Sequence, residues 1–177
     1  MKEADAVDLL QMYRHDMVNH MQLIHGYLAM NQPERAKQKL NEWISLCEQE
    51  RRLTSLHAPK FALWVIRCNT IYNRLDLTYH IHSGKKSLSA YDDALKQLCE
   101  AITSILYSEL PEHTLQKIVL EVDDTKAETL FCFSIIGTFA KDASLLSAIH
   151  DLKAPFSKEI NHTAEVITCH FLIPNHF

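Results

Sequence analysis

The sequence predicts an α+β chain, in which an N-terminal antiparallel helical hairpin is followed by an α/β sandwich. Three observations predict it. Apolar residues of the first third recur at helical spacing with a single break. A polar, proline-containing stretch, Thr54 to Lys60, then ends that period. Beyond it, short alternating segments mix with one strongly amphipathic helix, as in a sheet covered by helices. We place the domains at 1–54 and 55–177.

The first helix rests on Leu10, Tyr13, Met17, Met21, Ile24 and Leu28, whose 3-4 spacing makes a core-type stripe. The break is Met30 to Glu34. Asn31 suits a cap, Pro33 a first turn, and Glu34 stands three residues after Asn31 as in a capping box. A second helix follows from Pro33 to about Leu53, with Ala36, Leu40, Trp43, Ile44 and Cys47 on one side. So short a connection folds the pair back antiparallel. A lone hairpin leaves apolar stripes uncovered, and Leu9, Met12 and Leu23 add a further strip beside the main one. Pairing with a second copy into a dimeric four-helix bundle buries this surface; cover by the C-terminal part is the alternative.

In the second part, Phe61 to Arg74 reads as a helix and Asp76 to His82 alternates like a strand. Ser89 to Ser108 is an amphipathic helix with Ser89 as its cap. Leu115 to Val122 and Thr129 to Phe139 read as strands of a hairpin turning at Asp123 to Lys126. A short helix, Asp142 to His150, and a last strand, Glu165 to Ile173, complete the pattern.

Composition narrows the function. With 47% apolar residues in 177, the chain is globular. A net charge of -4 with interspersed signs gives no bulk attraction to nucleic acid or to an anionic membrane. The N-terminus lacks a signal-peptide core and no apolar run reaches bilayer length, so a cytoplasmic location is expected. Five cysteines without a CxxC pair, each in an apolar segment, read as buried thiols in a reducing compartment.

The chemistry concentrates in Arg14 to Gln22. At about 100° per residue, His15 points about 155° away from the apolar stripe, with Asn19 one turn later and Gln22 close by. An exposed imidazole on a rigid helix suits phosphoryl transfer, in which positioning is most of the catalysis. Asn19 and Gln22 offer hydrogen bonds around a transferred group, and Arg14 offers positive charge. Asp16 is turned about 100° around the helix, so no direct contact with the imidazole is expected. Tyr79-His80-Ile81-His82 puts two histidines on one strand face, more simply a solvated face than half a metal site. His20 and His25 lie off the apolar stripe. Asp92-Asp93 reads as a first-turn charge pair.

The segment RHDMVNHMQLIHGYL resembles the phosphoacceptor helix of the sporulation initiation phosphotransferase B family. Arg14, His15, Asp16, Asn19, Gln22, Leu23, Ile24 and Gly26 all match its pattern. The likeness continues at Leu56-His57-Ala58-Pro59 and at Leu88-Ser89-Ala90-Tyr91-Asp92. The resemblance implies a homodimeric bundle whose His15 takes phosphate from one response regulator and passes it to the aspartate of a second. That second regulator is a sporulation transcription factor. Arg14, Asp16, Asn19, Gln22 and Leu23 would support docking and transfer. The chain would bind no cofactor, the magnesium belonging to the regulators. The C-terminal part would resemble a kinase ATP-binding domain that has lost its nucleotide site.

The residues agree on that loss. The helix from Ser89 to Ser108 carries no Asn, and Gly137 is the sole glycine after Gly84, so no glycine-rich loop can cradle a triphosphate. A divergent ATP-dependent sensor kinase fragment and a non-catalytic docking or sequestering module are the competing readings.

Overall fold

The computed structural model describes residues 3–82, 86–109, 113, 115–124, 128–137 and 143–174. The chain divides into two compact units, 1–50 and 51–177. The boundary thus falls inside the second helix, a few residues before the expected linker.

The first unit is built from α1 (Glu3–Ala29) and most of α2 (Pro33–Ser55). Their connection corrects one expectation: Asn31 does not cap α2 but terminates α1. Its φ of 54° is left-handed. The N–H of Gln32 bonds the Tyr27 carbonyl at 2.8 Å, and that of Asn31 bonds the Leu28 carbonyl at 3.0 Å. This nested pair closes a helix through a left-handed residue, a geometry that Asn tolerates better than most side chains. The Gln32 carbonyl then accepts the first α2 bond from Ala36 at 3.2 Å, with Pro33 at the first helical position.

Within the hairpin, Ala36 is buried and Trp43 half-buried, with the His20 ring stacked on Trp43 at 6.1 Å. His20, though off the apolar stripe, is therefore half-buried against α2. The imidazole offers a flat face to the indole, which a period count of aliphatic side chains does not register. Much of the expected core stripe is nonetheless exposed within one chain. Leu10, Tyr13, Met17, Met21 and Leu28 of α1 are exposed, as are Leu40, Ile44 and Cys47 of α2. Cys47 thus departs from the expectation of five buried thiols, while Cys68, Cys99, Cys132 and Cys169 meet it.

The second unit carries a five-stranded sheet in the order β1-β2-β3-β5-β4. α3 (Pro59–Ile71) precedes β1 (Leu75–Ile81). A 3-10 turn at Ser89–Tyr91 leads into α4 (Asp92–Glu109), so Ser89 opens that turn and does not cap the helix. β2 (Gln116–Asp124), β3 (Glu128–Ile136), α5 (Ala143–His150), β4 (Ser157–His162) and β5 (Val166–Pro174) follow. Residues 125–126, 138–139 and 142 of the expected turn, strand and helix lie outside the described residues, as does Gly84. β1 runs parallel to β2, and the other pairings are antiparallel.

β4 was not expected, because Ser157–His162 is polar apart from Ile160. As an edge strand it buries almost nothing, and only Ile160 is even half-buried. One sheet face packs beneath the helices around fully buried Phe61, Phe131, Phe133, Phe171 and Leu95. The Asn69 amide of α3 brackets Leu77 of β1, donating to its carbonyl at 3.0 Å and accepting from its N–H at 2.7 Å. It thereby supplies an edge strand with partners that no neighbouring strand provides.

The two motif segments of this unit meet. The N–H of Leu88 bonds the Leu56 carbonyl at 2.7 Å. The Asp92 carboxylate, buried, accepts from the N–H groups of Lys60 and Phe61 at the start of α3. Asp92 therefore serves the N-terminus of another helix, and Asp93 pairs with Lys60 Nζ at 2.6 Å.

Candidate functional site

His15 sits midway along α1 with 73% of its side chain exposed, and Asp16 beside it with 64% exposed. Helix geometry alone places the neighbours. Asn19 is about 40° around the axis from His15 and one turn on, and Gln22 is about 20° away and two turns on. The exposed α1 surface also carries Arg14 and Leu23.

Among the described residues, two side chains reach the imidazole, both at the same nitrogen. Asn19 Nδ2 lies 3.2 Å from His15 Nδ1, and Asp16 Oδ1 lies 3.3 Å from it. The Asp16 contact corrects the sequence reading. The 100° offset is real, but a carboxylate on a single methylene reaches tangentially across the helix surface to a ring that swings toward it. Arg14, Gln22 and Leu23 share the surface without entering this cluster. Among the described residues, Nε2 of His15 takes no hydrogen bond, so that nitrogen is open to an incoming electrophile.

The electrostatics around the ring are mixed, with a carboxylate on one side and an amide on the other. No group of three His, Cys, Asp or Glu side chains among the described residues is placed to hold a metal ion. His80 of β1 and His82, one residue past its end, are exposed with rings stacked at 6.3 Å. They stand apart in sequence and unit from His15.

Residues 1–56 match the family model described as the sensor kinase SpoOB-type alpha-helical domain. Residues 57–170 match the model for the C-terminal domain of sporulation initiation phospho-transferase B. The chain belongs to the sporulation initiation phosphotransferase B family. The family is one of phosphotransferases, not ATP-dependent kinases, in line with the missing glycine loops and Asn-free α4. Sporulation initiation phosphotransferase B of Bacillus subtilis (strain 168) is 24% identical over 168 residues, 94% of this chain and 85% of that protein. A solved bacterial phosphotransferase is 14% identical with a TM-score of 0.39, covering 96% of this chain and 97% of its own. The histidine kinase ThkA, solved in complex with response regulator TrrA, is 10% identical with a TM-score of 0.43. The alignment covers 96% of this chain and 61% of that one. The Acinetobacter baumannii histidine kinase AdeS is 11% identical with a TM-score of 0.42, over 91% of this chain and 98% of that one. No helix among the described residues of this family member is long and apolar enough to cross a membrane.

Proposed function

We propose that His15 relays a phosphoryl group between two response regulators in the pathway that initiates sporulation. It accepts the group from the aspartyl-phosphate of one regulator and gives it to the aspartate of the second, a transcription factor. The observation that carries this reading is the exposed His15 ring, engaged through Nδ1 and open at Nε2. Membership of a phosphotransferase family supports it.

The residues supply what the reaction needs. A histidine fixed on a helix meets phosphorus in line, and holding reactants in that geometry is where such catalysis comes from. With its proton on Nδ1, the ring presents a bare Nε2 as nucleophile, and Asp16 Oδ1 accepts that Nδ1–H. Arg14 and Gln22 are set to meet the regulator, and Leu23, 52% exposed, offers it an apolar contact. Magnesium is supplied by the regulators, as they hold the aspartate that exchanges the group.

The active form in this proposal is a homodimer. The exposed seam of Leu10, Tyr13, Met17, Met21 and Leu28 keeps the 3-4 period of helices made to pack, and α2 adds Leu40 and Ile44. A second copy, bringing the same stripe, buries it as a four-helix bundle. Incubation with a phosphorylated response regulator tests the reading. It predicts an acid-labile, base-stable label on His15; label elsewhere, or none, overturns it.

A further inference from the structure

We propose that Asp16 and Asn19 set the tautomer of His15 against one another, and so fix how readily its phosphorylated form gives up the group. The proposal rests on the reading of His15 as the phosphoacceptor and adds the device that regulates it.

Both neighbours contact Nδ1, but they require opposite states of it. Asp16 Oδ1, at 3.3 Å, is an acceptor and needs a proton on Nδ1. Asn19 Nδ2, at 3.2 Å, is a donor and needs Nδ1 bare. One nitrogen cannot satisfy both at once. The Asp16 partnership leaves Nε2 with its lone pair, the nucleophilic form. The Asn19 partnership puts the proton on Nε2, the inert form. The two distances are nearly equal, so the geometry itself leaves the contest open.

The same contest governs the phosphorylated ring. In the forward step the Nε2 lone pair attacks phosphorus, the bond from phosphorus to the regulator's carboxylate oxygen breaks, and that carboxylate leaves. The product is a phosphoimidazolium whose proton sits on Nδ1, facing Asp16. Loss of that proton to water gives a neutral phosphoimidazole with bare Nδ1, which Asn19 Nδ2–H then bonds. In the onward step an aspartate oxygen of the second regulator attacks phosphorus and the Nε2–P pair returns to the ring. With Nδ1 protonated the leaving group is neutral imidazole; with Nδ1 bare it is an imidazolate anion, a far poorer one. Asp16 therefore favours release and Asn19 favours storage. Both act through the ring and are positioning residues.

The test is nitrogen NMR on protein carrying 15N-labelled histidine, with the His15 signals assigned by their loss in His15→Gln. The Nδ1 and Nε2 shifts report the tautomer directly, without any phosphate or partner. Asp16→Ala should move the population toward Nε2–H, and Asn19→Ala toward Nδ1–H, each by about fivefold, the ratio expected of one hydrogen bond. The double variant Asp16→Ala, Asn19→Asp should restore Nδ1–H, since it returns an acceptor to the site. Unmoved tautomer populations in both single variants overturn the proposal. Labelling with phosphoramidate then gives a second readout. Phosphohistidine should outlive the wild type in Asp16→Ala and decay faster in Asn19→Ala, and equal lifetimes overturn the link to phosphate release. Failure of phosphoramidate to label His15 overturns the relay reading instead, and leaves the tautomer result to be judged on its own.

Discussion

The Asp92 carboxylate accepts a hydrogen bond from the backbone N–H of Phe61 at 2.8 Å, across 31 residues of sequence. With its second oxygen it takes the N–H of Lys60 at 3.1 Å. α3 begins at Pro59 after Ala58, whose side chain cannot cap. Its first free N–H groups would otherwise go unpaired beside the core.

This cap fixes the first prediction. Asp92→Ala should lower stability by about 1–3 kcal/mol, since it removes two hydrogen bonds and strands a buried donor. Asp92→Asn keeps one acceptor and should cost less. Urea unfolding followed by circular dichroism measures both, and an Asp92→Ala midpoint equal to wild type would refute the capping role.

The left-handed His57, with φ 55°, gives a second prediction with a sign contrast. Glycine adopts that conformation without the clash a β-carbon brings, so His57→Gly should raise stability by up to about 1 kcal/mol. His57→Val should lower it, because a β-branched residue tolerates positive φ worst. Thermal unfolding midpoints that shift in the same direction for both would contradict the assignment.

The thiols give a third. Cys47 alone is exposed among the five, whereas burial pushes the Cys68 and Cys169 thiols up to about 12 and Cys99 well above its ordinary value. A disulfide reagent should therefore modify no more than one thiol per folded chain quickly, and all five in denaturant. A group whose pKa is raised by folding contributes stability below its unfolded pKa and loses it as pH climbs toward the folded one. Stability should thus fall from about pH 9 toward about 12 as the unfolded chain releases protons that the core thiols retain. Rapid modification of two or more thiols in the native protein would contradict the burial.

The exposed seam of α1 gives a fourth. Sedimentation velocity at micromolar concentration should give twice the chain mass of 20.4 kDa. Met21→Glu, which places a charge in the seam at a position 48% exposed within one chain, should give the single mass with helical content kept. Unchanged mass in the variant would show that the seam is not the contact.

How much of this was legible in the sequence depends on what each residue's signal competes with. The helices of the hairpin and the long α4 stood out because their apolar periods run for several turns. β4 did not, since a polar edge strand is made by its hydrogen bonds to β5 and carries no pattern of its own. Asn31 carried a true turn signal but an ambiguous one, because the same residue type caps the start of one helix and closes the end of another. At the site, helical angle placed His15 and Asn19 on one exposed face. It misjudged Asp16, because angles between side-chain origins ignore how far a short carboxylate and a rotating ring reach toward each other. The long-range pairing of Asp92 with α3 was invisible, for no local rule links residues that far apart.

The central claim is that phosphate passes through His15, and a reconstituted relay tests it most directly. Wild-type protein is mixed with a radiolabelled phosphorylated response regulator and an unlabelled second regulator, and label on the second is followed in time beside the His15→Gln variant. The relay reading predicts transfer with wild type and none above the protein-free background with the variant. Transfer through His15→Gln at the wild-type rate would contradict it.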